Sequence, residues 1–276
     1  AMDLDMYAHG SVFENLNIIK QRGDLIIEPT EGELASGLIG QGRMEEPEQI
    51  IKEVIGFFKK EFDLFGKRVL ISAGPTFEKI DPVRFIGNHS SGKMGFALAE
   101  EVAERGAQVT LVSGPVNLKL KNESIKRVDV VSAQEMFDAV IKEYESCNIA
   151  ILSAAVADYR PSVVSDTKIK KKDNNLELYL EPTTDILATL GQQKTNQILV
   201  GFALETNNEK ENAIKKLINK NLDFIVLNSL QNEGAGFAFD TNKISILDKN
   251  NKTTDFELKS KTDVATDIID YIVTKL

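Results

Sequence analysis

The sequence is poor in the side chains that build metal and covalent sites. It contains one cysteine, Cys147, and two histidines, His9 and His89. A lone cysteine excludes an internal disulfide and fits a cytoplasmic home, and so few ligands leave little room for a His/Cys zinc centre. No apolar run approaches the roughly 18 residues that a membrane span needs. The opening AMDLDMYAHG lacks the basic flank and apolar stretch of a secretory signal. Positive charge is also scarce: 33 Lys and Arg stand against 42 Asp and Glu, for a net charge of −9. That balance argues against a general nucleic-acid surface, so neither nucleic acid nor membrane is expected as a partner. A local phosphate pocket remains open, because a few lysines in a cleft suffice.

What is present divides the chain in two. Residues 1–47 are rich in Gly, Pro and acids and read as loops around one helix near Phe13–Lys20. A second helix is expected from Pro47 to Phe62, with Pro in its first turn and apolar residues at Ile50, Ile51, Val54, Ile55 and Phe58. A joint at Asp63–Gly66 sets the boundary between residues 1–65 and 66–276. From Lys67 onward strand and helix patterns alternate. The expected strands include RVLISAG, QVTLVSG, IKRVDVV, NIAILSAA, LELYLEP, QILVGFA and FIVLN. KISILD and TDFELK read as a hairpin around Lys249–Lys252, and an amphipathic helix runs from Asp263 to the end. The expected fold is α/β: a Rossmann-like, doubly wound, mostly parallel sheet with a C-terminal β-hairpin. Ligands then bind at the carboxyl ends of strands.

Three strand-end segments carry chemistry. In Ser72–Gly95 a strand feeds a Gly/Ser-rich loop and then a helix N-terminus, where bare N–H groups and the helix dipole favour a phosphate. Gly87–Met94 nearly spells a Walker P-loop, but Met94 stands where Ser or Thr would hold magnesium. G-x-G-x-x-G is absent, and an ordinary Gly-rich turn is the plainer alternative. In Ser153–Lys172 small residues leave space at a strand end. Asp158 and Arg160 offer polar groups, and Lys168, Lys170, Lys171 and Lys172 form a positive patch. A solvated charge run is the usual origin of such a patch. In Gly201–Asn228, Phe202 either stacks on a base or packs in the core. Lys216 and Lys220 share a helix face that is either exposed or turned to a polyphosphate. His89 has no partner at a spacing that makes a nucleophilic triad and reads as structural.

ISAGPTFEKIDPVRFIGNHSSGKMGFALAEEVAERGAQVTLVSGPV, AAVADYRP, KIKK and GFALETN, in this order, resemble phosphopantothenate–cysteine ligase. In bacteria this ligase is the C-terminal part of a bifunctional coenzyme A enzyme. The resemblance covers about Gly66 to the end. It implies that the carboxylate of 4′-phosphopantothenate attacks the α-phosphorus of CTP and releases pyrophosphate. The amine of L-cysteine then displaces CMP from the acyl-cytidylate. It further implies that Asn88 binds the acyl intermediate and serves the second step. Arg84 assists from across a homodimer interface, and Lys168 serves nucleotidyl transfer. Ala154, Ala155 and Asp158 touch the pantothenate portion or the nucleotide beside it. Gly74, Ser90, Gly92, Gly95, Ser153, Phe202, Lys216, Lys220 and Asn228 fall on nucleotide positions. Asp185 and Ile186 transfer from a Pro-Asp-Ile-Val stretch in which Thr184 here replaces the Pro. Magnesium is expected to arrive with the triphosphate. The KISILD hairpin is the candidate dimer interface, an edge hairpin packed on its own domain being the alternative.

The first fifty residues resemble the tail of the flavin-dependent phosphopantothenoylcysteine decarboxylase. Asp3 stands where that family shows Asn, and Ser36 where it shows its catalytic Cys. The chain is therefore expected to be a piece of a fused enzyme whose parent forms a higher oligomer and also decarboxylates. FMN belongs to the upstream part, and this chain is expected not to bind it. A Rossmann-type NAD(P) oxidoreductase and a non-catalytic assembly module are the competing readings.

Overall fold

The computed structural model describes every residue except 172–174, 206, 230–239 and 251. Lys172, Asn251 of the expected hairpin turn, and most of the stretch between the expected strands FIVLN and KISILD thus lie outside the described residues. The chain forms two compact units, residues 1–63 and 64–276.

The first unit contains α1 (Leu4–Tyr7), α2 (Gly10–Gln21), the antiparallel pair β1 (Thr30–Glu33) and β2 (Ile39–Arg43), and α3 (Pro47–Glu61). The expectation of loops around one helix is corrected here. Asp3 caps α1 by accepting from the Leu4 N–H at 2.7 Å, which starts a short helix that carries no hydrophobic period. Gly32, Gly40 and Gly42 weaken the strand signal of β1 and β2. Gly42 is needed all the same, because a Cβ there would lie 2.3 Å from the Met2 carbonyl oxygen. Ile51, Val54, Ile55 and Phe58 of α3 are exposed.

The second unit contains β3 (Arg68–Ala73), β4 (Phe77–Lys79), β5 (Phe85–Gly87), α4 (Lys93–Glu104), β6 (Gln108–Ser113), β7 (Lys126–Asp129), α5 (Ala133–Tyr144), β8 (Ile149–Leu152), β9 (Tyr159–Pro161), β10 (Leu180–Pro182), α6 (Ile186–Gln193), β11 (Ile198–Glu205), α7 (Glu209–Asn219), β12 (Phe224–Ser229), β13 (Thr241–Asn242), β14 (Ile244–Asp248), β15 (Thr253–Asp255), β16 (Lys259–Ser260) and α8 (Lys261–Val273). The main sheet runs β15-β14-β12-β11-β8-β3-β6-β7. Its strands from β12 to β7 are parallel, and β14 joins antiparallel. Among the six parallel strands taken in chain order this is 3-2-1-4-5-6, the doubly wound arrangement, and the order reverses between β3 and β8.

Period-two alternation sends Val69 and Ile71 to the face covered by α4 and α8, and Leu70 to the face covered by α5, α6 and α7. LELYLEP does not join the main sheet. Only Leu180–Pro182 is a strand, paired with β9, and Leu176, Leu178 and Tyr179 are exposed. TDFELK joins the main sheet only at its start, in β15 (Thr253–Asp255), which pairs with β14 as the expected hairpin, while its last residue, Lys259, enters β16 beside β13. Among the described residues no helix is long and apolar enough to cross a membrane.

Candidate active site

The switch point is built by direct contacts between the loops after β3 and β8. The Ala155 N–H donates to the Gly74 carbonyl at 2.9 Å. The Ser153 hydroxyl donates to the Ser72 carbonyl at 2.7 Å, and the Ala157 N–H donates to the Thr76 hydroxyl at 2.9 Å. Gly74 and Gly92 both have positive φ, +77° and +74°. Gly92 caps α4 with no side-chain hydrogen bond, leaving the helix N-terminus open to a ligand. Gly95 brings α4 onto the sheet, since a Cβ there would stand 2.5 Å from the Ala73 Cβ and 2.7 Å from the Ser153 Oγ.

A cavity of about 670 Å³ opens at this point, within the range of small-ligand clefts. Of the residues singled out above, Asn88, Ser90, Gly92, Gly95, Ser153, Ala154, Ala155 and Asp158 line it from the β3 and β8 loops and the first turn of α4. Asp185, Ile186, Phe202, Lys216, Lys220 and Asn228 line it from α6, β11, α7 and β12. Gly74 is not on the lining; it lies behind Gly92, against which it packs. Asn88 is aimed by its amide, which donates to the Val156 carbonyl at 2.8 Å. Phe202 fits both of its readings: it packs against the core and faces the cavity.

Charge in the cavity is arranged in pairs. Asp185 caps α6 through the Ala188 N–H at 2.9 Å and pairs with Lys220 at 2.7 Å. Burial pushes the Asp185 carboxyl up, but Lys220, the Ala188 N–H and Lys216 together hold it below the usual carboxylate range. On the opposite wall Lys93 pairs with Asp240, and Lys261 is buried. Sequence reasoning singled out neither Lys261 nor Asn242, which look like ordinary helix-start and turn residues. Lys93 stood at the lysine position of the near P-loop Gly87–Met94 but was given no role. His89, read as structural, lines the cavity as well.

Arg84 and Lys168 do not line this cavity. They sit together on a strap held by the buried carboxylate of Asp81. Asp81 accepts from the N–H groups of Val83 at 2.8 Å, Arg84 at 2.9 Å and Ile169 at 3.1 Å. The Arg84 guanidinium donates to the Ile169 carbonyl at 2.8 Å. Burial pushes the Asp81 carboxyl up, yet the three N–H donors and Arg84 outweigh it and hold it below the ordinary value. Lys168, Lys170 and Lys171 are exposed. Among the described residues no cluster of three His, Cys, Asp or Glu is arranged to hold a metal.

Residues 64–276 match the family model described as DNA/pantothenate metabolism flavoprotein C-terminal domain. A cysteine/cysteine sulfinic acid decarboxylase from an unknown prokaryotic organism is 56% identical over 279 residues, covering 99% of this chain and 78% of that protein. The coenzyme A biosynthesis bifunctional protein CoaBC of Bacillus subtilis is 47% identical over 274 residues, covering 99% of this chain and 68% of that protein. The solved C-terminal domain of a CoaBC protein superposes with a TM-score of 0.67 at 44% identity, covering 78% of this chain and 97% of its own.

Proposed function

Because this chain belongs to the family of the DNA/pantothenate metabolism flavoprotein C-terminal domain, we propose that its second unit joins 4′-phosphopantothenate to L-cysteine as a phosphopantothenate–cysteine ligase of coenzyme A biosynthesis. The observation that carries this reading is the convergence of Asn88, Asp158, the open α4 N-terminus and four lysines on one cavity at the sheet's switch point. A carboxylate is a poor acyl donor at neutral pH, and nucleotidyl transfer makes CMP its leaving group. The nucleotide is CTP, as the resemblance of KIKK and AAVADYRP to bacterial members implies.

In the first step a carboxylate oxygen of 4′-phosphopantothenate bonds to the α-phosphorus, and pyrophosphate leaves with the electron pair. Lys216 and Lys220 neutralise phosphate charge from one wall. In the second step the cysteine amine attacks the acyl carbon and CMP departs. The Asn88 amide, fixed by Val156, holds the acyl group for that attack. Catalysis on this account is positioning and charge stabilisation. Magnesium would be carried by the triphosphate rather than by a carboxylate cage of this chain, and would supply further neutralisation of phosphate charge.

The off-cavity location of Arg84 and Lys168 supports a homodimer in which the strap of one copy completes the cavity of the other. Mixing Arg84→Ala with Asn88→Asp chains tests this. Each mixed dimer holds one intact site, so random exchange restores about a quarter of wild-type activity. No recovery after exchange contradicts completion in trans.

Residues 1–65 correspond, on this reading, to the tail of the flavin-dependent decarboxylase part, supported by the 99% coverage shared with the bifunctional relative. A decarboxylase activity would need, besides these residues, the part of the relative's length that this chain does not cover. The chain described above is expected to bind no FMN, and a flavin absorption band on the purified protein would contradict that. The 3-2-1-4-5-6 strand order favours one competitor, an NAD(P) oxidoreductase. Titrations with CTP and NADPH side by side separate the two: CTP binding alone supports the ligase, and NADPH binding alone sinks it.

A further inference from the structure

Asn88 reaches the cavity from the end of a small arm, the antiparallel pair of β4 and β5. The arm forms a two-stranded sheet of its own, so pairing with the main sheet does not fix its position. Contacts along β4 do so instead. The Thr76 N–H donates to the Ala155 carbonyl at 3.3 Å, and the Phe77 N–H to the Val131 carbonyl at 2.8 Å. A side chain adds a further tie. Glu78 is only 4% exposed, and its Oε1 accepts from the Ala133 N–H at 2.7 Å. Ala133 is the first residue of α5, 55 positions along the chain. A carboxylate so buried carries a desolvation cost that its partner must offset.

The helix has a cap without this carboxylate. The Ser132 hydroxyl accepts from the Glu135 N–H at 3.2 Å, and the Glu135 carboxylate accepts from the Val131 N–H at 2.7 Å. Such a reciprocal pair is sufficient to start a helix. What the contact provides is a fixed point for the arm. The N-terminus of α5 carries the positive end of the helix dipole, and α5 packs on the core through Met136, Val140 and Tyr144. Strand register then carries the position to the site. Glu78 pairs with Ile86 across the arm, and Phe77 with Gly87. The rings of Phe77 and Phe85 stack at 4.0 Å. A Cβ at Gly87 would lie 2.8 Å from both the Phe77 ring and the Thr76 carbonyl oxygen, so the close approach of the two strands depends on glycine there. The next residue is Asn88, whose amide donates to Val156. Thr76 holds the same loop through the Ala157 N–H.

We propose that Glu78 is a positioning residue for amide formation: by anchoring the β4–β5 arm on α5 it sets where the Asn88 amide stands in the cavity. Glu78 does not line the cavity itself. The inference rests on the ligase reading, in which Asn88 serves the second step.

The test uses the whole chain and breaks the contact from each side. Glu78→Gln keeps an oxygen acceptor for the Ala133 N–H, and Glu78→Leu fills the space without one. Ala133→Pro removes the donor at the first helical position, where proline is tolerated, behind a Ser132 that is already extended. Hydrogen exchange read by mass spectrometry needs no turnover. In Glu78→Leu, exchange should rise by about tenfold or more over residues 85–90 and stay at the wild-type rate in α5, whose own cap remains. Faster exchange in α5 with none in the arm would make Glu78 an ordinary helix cap and overturn the proposal. Kinetics give the second readout. In Glu78→Leu, amide formation should fall by about tenfold or more while pyrophosphate release falls by less than about threefold, and Glu78→Gln should stay within about twofold of wild type in both. Equal losses in the two steps overturn the proposal, and so does a Glu78→Gln protein that behaves like Glu78→Leu. Should Glu78→Leu fail to fold, Ala133→Pro should show the same unequal losses, and a wild-type ratio there overturns the proposal. A wild-type chain that forms no amide sinks the ligase reading and leaves the anchorage of the arm to be decided by exchange alone.

Discussion

At the scale of single residues, the ligase account separates two steps by side chain. Asn88 faces the cavity and is held by the Val156 carbonyl at 2.8 Å. If it serves the second step, Asn88→Asp should keep pyrophosphate release with CTP and phosphopantothenate while losing amide formation by about 100-fold or more, and the acyl-cytidylate should accumulate. Loss of pyrophosphate release in a folded variant would assign Asn88 to the first step. Asp81 makes a prediction of a different kind, because it touches no ligand-lining surface yet binds both Arg84 and the Lys168 strap. Asp81→Asn should lower kcat with little change in KM. The sign of its pH effect follows from its depressed value. The clamp's contribution is complete above the ordinary aspartate value of 3.8 and is lost only as pH falls through the lower folded value. Acid melting of wild type and Asp81→Asn should therefore converge at low pH and diverge near neutrality. Cys147 is buried, and burial pushes its thiol up to about 12. An alkylating reagent at pH 8 should leave the folded protein unmodified and label it once unfolded.

At the scale of elements, Gly95 sets how closely α4 approaches β3. Gly95→Ala drives a Cβ to 2.5 Å from Ala73, which should destabilise the second unit by about 1–3 kcal/mol in denaturant melts. The alternation of strands and helices from Arg68 onward was legible because each central strand is an unbroken apolar run and each helix has an apolar stripe. The C-terminal helix expected from Asp263 was legible, and it starts two residues earlier, at Lys261, with Ser260 as its cap. LELYLEP misled because alternation reports only a capacity for pairing, and the nearest partner was the three-residue β9. Most of the proposed site was legible as glycines, small residues and motif order at strand ends. The part of the opposite wall made by Lys261 and Asn242 was not, because it is assembled from the start of the last helix and a two-residue strand. Only tertiary packing joins such pieces.

At the scale of the whole molecule, the two units differ in what they bury. Every buried hydrophobic residue among those described lies at Leu64 or beyond, so the second unit has a core of its own. Residues 64–276 alone should melt cooperatively and retain ligase activity within about threefold of the full chain. A non-cooperative melt would place part of the folding information before Leu64. The central claim is that this protein activates a carboxylate by nucleotidyl transfer and then makes an amide. Its most direct test is a screen of the four ribonucleoside triphosphates with phosphopantothenate and L-cysteine, reading pyrophosphate, nucleoside monophosphate and thiol-bearing amide together. The account predicts one pyrophosphate and one CMP for each amide formed, with CTP the preferred nucleotide. Amide formation without pyrophosphate, or no reaction with any of the four, would contradict it.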